Sequence, residues 1–244
     1  MFGMRKMAKE NILVVCTIVL CIMLTLATCV SFSEGGILAA FGRVESKAVT
    51  IWAVACGGFS NVTIARQSAE MIKSRGGAGY VQSGEKIEIV YAVYKSEEAA
   101  QAVLAKLADK SLYLKKIEIQ KGSFKWCKDD AKIAVQNALG YFDIAFDALF
   151  DCSNSLNEGS CGIEDVKTKI KVLRAQIEDI KSVFYQNTAN CDDEQITQIK
   201  LALVTTLALL DNVDFAKNNA YITSSIRYQT IQLALCRQAL MSGL

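Results

Sequence analysis

Histidine and proline are both absent from the 244 residues. Without an imidazole the chain cannot build a Ser-His-Asp or Cys-His catalytic site, a histidine-bearing zinc site or an imidazole proton shuttle, which removes much hydrolytic chemistry near neutral pH. Without proline no helix carries a proline kink and no turn a proline-set φ, so every break falls to Gly, Asn, Asp or Ser. A clear excess of one charge is lacking as well, since 27 Lys and Arg face 25 Asp and Glu for a net charge of +2. A phosphate-tracking surface needs a basic excess, so nucleic acid is not an expected partner. What is abundant is apolar: 52% of the residues are hydrophobic, which excludes a disordered chain or a low-complexity fibre.

Part of that apolar excess is concentrated. Residues 11–33 hold no charged side chain, and residues 12–32, rich in Ile, Leu, Val and Met, supply the roughly 20 residues that a helix needs to cross a bilayer core. Arg5, Lys6 and Lys9 precede the run, whereas Glu34 follows it and no basic residue comes before Arg43. The positive-inside rule therefore leaves the tail, residues 1–11, in the cytoplasm and the bulk of the chain outside a single-pass anchor in a bacterial cell membrane. Three alternatives compete with this reading. A cleaved secretory signal has a shorter apolar core. A lipoprotein signal would lipidate Cys29, but Thr28 stands where Gly, Ala or Ser is usual. A buried core helix has no need to be charge-free on every face.

Residues 33–49 read as a linker, and residues 50–120 as a small α+β domain. An apolar strand at 50–56 ends at Gly57-Gly58, and Asn61 caps a helix over 62–75 with Ile64, Ala65, Ala69 and Ile72 on one face. Strands at 78–82 and 86–94 are joined by Ser83-Gly84-Glu85, a hairpin-length connection. Ser96 caps a second helix with an apolar stripe of Ala99, Ala100, Val103, Leu104 and Leu107. A last strand at 112–119 is interrupted in its alternation by Lys115-Lys116. The order is βαββαβ, the ferredoxin-like plan.

Two segments of this domain resemble a known family. Ile51-Trp52-Ala53-Val54-Ala55-Cys56-Gly57-Gly58-Phe59-Ser60-Asn61 is similar to the opening strand of SPOR (sporulation-related repeat) domains, aromatic-x-Val-Gln-Val-Gly-Ser-Phe-Ser-Asn. Ile89-Val90-Tyr91-Ala92-Val93-Tyr94-Lys95-Ser96-Glu97-Glu98-Ala99 is similar to the second signature, Val-x-Val-Gly-Pro-Phe-x-Ser-x-Glu-Glu-Ala. The resemblance implies a domain that binds peptidoglycan glycan strands, stripped of stem peptides at division or sporulation septa, on the exposed face of its sheet. On that face the sequence departs from the pattern. The family's glutamine falls on Ala55, the serine before its phenylalanine on Gly58, and an aromatic and an arginine of some members on Lys86 and Glu88. Ala53, Ala55 and Val90 offer sugar neither a hydrogen bond nor an aromatic platform. The candidates left are Lys86, Glu88, Tyr113, Tyr80 and Gln82.

Residues 125–244 read as an antiparallel four-helix bundle, with breaks at 152–162, 187–193 and 218–219. The first helix carries Leu139, Phe142, Phe146, Leu149 and Phe150, the third Ile196, Ile199, Leu203, Leu207 and Leu210. In the second, Ile163, Val166, Ile170, Leu173, Ile177, Ile180 and Phe184 form a seam, with Arg174–Glu178 and Asp165–Lys169 as outer i,i+4 pairs. Nothing here nominates an enzyme, a cofactor or a metal. Asp143 and Asp147 share a face without the histidine that a ferritin-like site uses, and Asp129, Asp130 and Glu164 stand where helix starts explain them.

Of the nine cysteines, Cys16, Cys21 and Cys29 belong to the apolar segment, and no two of the rest form a Cys-x-x-Cys pair. Outside the membrane disulfides become available. Cys152 with Cys161 across the first bundle connection, and Cys191 with Cys236 or Cys127, are the expected pairs, with free thiols as the alternative. The chain thus reads as α+β: an N-terminal transmembrane helix, a SPOR-like domain and a helical bundle. The expected function is peptidoglycan binding by a membrane-anchored envelope protein. The alternative is a tethered scaffold whose bundle and degenerate SPOR-like domain bind other envelope proteins without binding glycan.

Overall fold

The structure, a computed structural model, describes residues 44–107, 111–124, 129–191 and 193–242. The expected cytoplasmic tail and membrane segment lie outside the described residues, and among those described no helix is long and apolar enough to cross a membrane.

The first half follows the expected order. Strand β2 (Val49–Phe59) leads to α1 (Val62–Ser74), β3 (Tyr80–Ser83), β4 (Ile87–Tyr94), α2 (Glu97–Leu107) and β5 (Leu112–Ile119). The four strands form one antiparallel sheet in the order β3-β4-β2-β5. Asn61, in extended conformation, starts α1 by accepting the Ile64 N–H at 2.9 Å, and the Ser96 hydroxyl starts α2 by accepting the Ala99 N–H at 3.2 Å. Helices α1 and α2 cover one face of the sheet: Ala65 and Ala69 pack on Cys56 and Ile89, and Ala100 packs on Val54, Ala92 and Tyr94.

Two elements differ from expectation. β2 runs through Gly57-Gly58 instead of ending there, because Gly58, at φ +88°, absorbs a register shift against β4 that a side-chain-bearing residue would resist. Within the expected linker, β1 (Val44–Glu45) pairs antiparallel with β6 (Ser123–Phe124), which brackets the domain with a two-residue ladder.

The second half is helical: α3 (Asp129–Asn157), α4 (Ile163–Asn187), α5 (Glu194–Asp211) and α6 (Asn219–Ser242). Each helix packs on the next and α3 packs on α6, closing a ring of four. The longest connection, residues 212–218, spans about 24 Å fully stretched, whereas the shortest helix is about 27 Å long, so consecutive helices run antiparallel. The expected seams are the core: Leu139, Phe142, Phe146, Leu149, Val166, Ile170, Leu173, Ile177, Phe184 and the whole α5 stripe are buried.

Three details correct the sequence reading. α3 does not stop at Cys152 but continues to Asn157, since burial of Cys152, Ser153 and Leu156 outweighs the poor helix propensity of the Ser and Asn residues around them. Arg174 grips Asp211 on α5 rather than Glu178 on its own helix, with Nε–Oδ1 at 2.6 Å and Nη2–Oδ2 at 3.1 Å. Asp165 turns back to accept the Gly162 N–H at 3.0 Å and so closes the start of α4.

The βαββαβ segment and the helices form one compact unit, Val44–Leu244. α6 lies against β4 and β5 on the face that α1 and α2 leave open, so it passes over β2 between them. Ile51, Ala53, Ala55, Val90, Val93, Ile117 and Ile119 thereby join the bundle residues in a single apolar core. Polar contacts fix the arrangement at its margins. Arg227 donates to the Gly76 carbonyl at 2.9 Å, Gln238 donates to the Glu118 carbonyl at 3.3 Å, and Lys95 pairs with Asp147.

Candidate functional site

Alternation along the strands sorts the sheet face that meets the bundle. Cross-strand partners put Val49, Ile51, Ala53, Ala55 and Gly57 of β2 on one side with Tyr80 and Gln82 of β3, Glu88 and Val90 of β4, and Tyr113, Lys115, Ile117 and Ile119 of β5. The residues toward Val49 are apolar and buried under α6. Those toward Gly57 are polar and remain at the surface, and four of them, drawn from β3, β4 and β5, make a patch that reaches over β2.

At its centre Lys115 donates to Glu88 Oε2 at 2.5 Å and to Gln82 Oε1 at 3.3 Å. The Tyr113 phenol stands beside the same Glu88 carboxylate, near enough for each to shift the other's ionisation. These contacts reach across β2 because β2 presents almost nothing there. A Cβ on Gly57 would stand 3.1 Å from the Tyr113 hydroxyl and 3.7 Å from Glu88 Cγ, so the missing side chain is the floor on which the tyrosine ring lies. The Lys115 hydrogen bond holds the Glu88 carboxyl below its ordinary range, with Tyr113 assisting and partial burial opposing. Burial first, and then the Glu88 carboxylate, push the Tyr113 phenol up to about 12. At neutral pH the patch thus holds an ammonium, a carboxylate, a carboxamide and a neutral phenol that is 36% exposed. Such a set can donate to and accept from hydroxyls while an aromatic edge covers an apolar sugar face.

The structure brings together three of the five expected residues, Gln82, Glu88 and Tyr113. Lys86, exposed in the β3–β4 connection, stands close enough to lower the Glu88 carboxyl further. Tyr80 is diverted: its ring stacks at a tilt on Tyr228 of α6, centroids 5.1 Å apart, and half-burial raises its phenol. Lys115 and Gly57 were missed. The signal for Lys115 was its step of two from Tyr113, obscured by the neighbouring Lys116.

The other candidates fall elsewhere. Asp143 pairs with Arg237 and Asp147 with Lys95, which ties helices and sheet together, and among the described residues no group of three His, Cys, Asp or Glu side chains is placed to hold a metal. No disulfide joins the described cysteines, Cys56, Cys152, Cys161, Cys191 and Cys236, and Cys127 lies outside the described residues. Cys152 sits inside α3 rather than beside the connection, 2% exposed, and burial pushes its thiol up to about 11.

A βαββαβ sheet with both signature strands in place and a polar end to its open face defines a domain class, and comparison with known families agrees. Residues 48–120 match the SPOR domain, a family that binds peptidoglycan. The match covers under a third of the chain and leaves the helical half outside it. No curated protein and no solved structure matches the chain.

Proposed function

We propose that this is a membrane-anchored, extracytoplasmic protein that binds peptidoglycan glycan strands through the uncovered end of its SPOR-type sheet, at division or sporulation septa. The observation that carries the reading is the Gln82–Glu88–Tyr113–Lys115 patch, a polar surface drawn from three strands with an exposed aromatic, on a domain of a glycan-binding family. Membrane attachment rests on the charge-free run at 12–32 and its basic leading flank. No catalytic step is assigned, and the role is recognition.

The reading is tested by sedimenting the full chain, in mild detergent, with purified peptidoglycan before and after amidase treatment. Retention should rise on the denuded strands and fall at least about tenfold in a Glu88→Ala, Tyr113→Ala double variant, the scale of losing two good polar contacts. Equal retention of the double variant overturns glycan binding at this patch.

A second reading has its own observation. α6 covers Ala53, Ala55, Val90 and Val93, the middle of the face that the family uses. A tethered scaffold that binds envelope proteins and no glycan would leave the full chain in the supernatant with both peptidoglycan preparations.

A further inference from the structure

The two edges of the sheet are not alike. β5, at one edge, carries Lys115, Lys116 and Glu118, the kind of charge that discourages pairing with another strand. β3, at the other, reads Tyr80-Val81-Gln82-Ser83, carries no charge, and pairs among the described strands with β4 alone. Along this unprotected edge runs a groove of about 490 Å³. β3 supplies its floor through Val81 and Ser83, continued by Gly79 just before the strand, α1 forms one wall, and Tyr228 of α6 stands at one end.

The charges in the groove are unequal. Lys73 is balanced by Glu70 at 2.8 Å and lies with its ammonium 5.9 Å from the Tyr228 ring centre. Arg66, one helical stretch earlier on the same wall, makes no ion pair among the described residues. The groove therefore presents one unbalanced cation partway along an open strand edge. Its α1 wall runs from Val62 to Lys73, about 17 Å of helix, which matches about five residues of extended chain.

We propose that this groove takes an extended, acidic segment of a partner protein, added as a fifth strand beside β3 with a carboxylate opposite Arg66. Main-chain hydrogen bonds to the free edge supply affinity, and Arg66 selects the charge. The site lies at the edge and on the α1 side of β3, the face opposite the one on which Gln82 joins the Glu88–Tyr113–Lys115 patch, so it does not rest on the glycan reading.

The test uses the full chain and fluorescein-labelled Thr-Val-Glu-Val-Thr, its Thr-Val-Lys-Val-Thr counterpart, and a backbone N-methylated form of the first, read by fluorescence anisotropy. The glutamate peptide should bind about tenfold more tightly than the lysine peptide. Arg66→Glu, at an exposed position, should invert that order, and N-methylation should abolish binding while retention on denuded glycan stays unchanged. The proposal is overturned if none of the peptides binds, if Arg66→Glu leaves the preference intact, or if the N-methylated peptide binds as well as its parent. Dimerisation of the full chain that Arg66→Glu disrupts gives the groove to a second copy, and that also overturns it.

Discussion

Ala55 stands where SPOR domains carry glutamine, and it is fully buried. Its small side chain lets β2 join the core beneath the bundle, so the residue that made the sheet face look bare is a packing residue. Ala55→Gln, which restores the family's side chain, should destabilise the fold by about 2 kcal/mol or more through overpacking and an amide without partners. Thermal denaturation reads this directly, and an unchanged Tm would mean the face is open. At the polar end, Tyr113 makes a second prediction. An unfolded tyrosine ionises at 10.0 and the folded one at about 12, so its contribution is complete below pH 10 and is lost as pH rises toward 12. Wild type should therefore lose more stability than Tyr113→Phe between pH 9.5 and 11.5, and parallel losses would contradict a phenol raised by burial and by the neighbouring Glu88 carboxylate. Gln82, Glu88 and Tyr113 were legible as polar residues on an otherwise apolar face. The diversion of Tyr80 was not, because its partner Tyr228 is nearly 150 positions away.

Among the elements, strands and helices were read most reliably where apolar spacing and a cap agreed, as in α1 behind Asn61 and α2 behind Ser96. β5 was harder. Lys115 faces the bundle side with Tyr113, Ile117 and Ile119, while Lys116 faces the other way, so a strict alternation looked broken only because both positions are lysine. The end of α3 was misjudged for a different reason: local propensity favoured a stop, and burial supplied by the rest of the fold carried the helix onward. Helix pairing in the bundle leads to a third prediction. Arg237 of α6 is buried and meets Asp143 of α3, itself half exposed, so removing the acid strands a buried guanidinium. Asp143→Ala should cost about 1–2 kcal/mol, discounted for the exposed partner, and Arg237→Met, which keeps the stem and removes the charge, should cost less. Urea denaturation of the two variants decides it, and the reverse order would show that the pair contributes through the arginine's packing.

For the whole molecule, the sequence divides at residues 120–125 into two folds, yet Val44–Leu244 is one compact unit whose core passes from sheet to bundle. Composition and periodicity could not disclose that junction, since Ala53 and Ile117 read as ordinary strand residues and α6 lies about a hundred positions downstream of β5. For the proposed function the consequence is a SPOR-type sheet whose glycan-facing surface is confined to one polar end, with the edge-on groove facing elsewhere. Hydrogen exchange of the full chain with and without amidase-treated glycan strands is the most direct measurement. Protection should rise at residues 82–88 and 113–115 while α6 keeps its exchange rates. Protection spreading to residues 51–55, with faster exchange along α6, would contradict this by showing that the bundle swings away to expose the whole face.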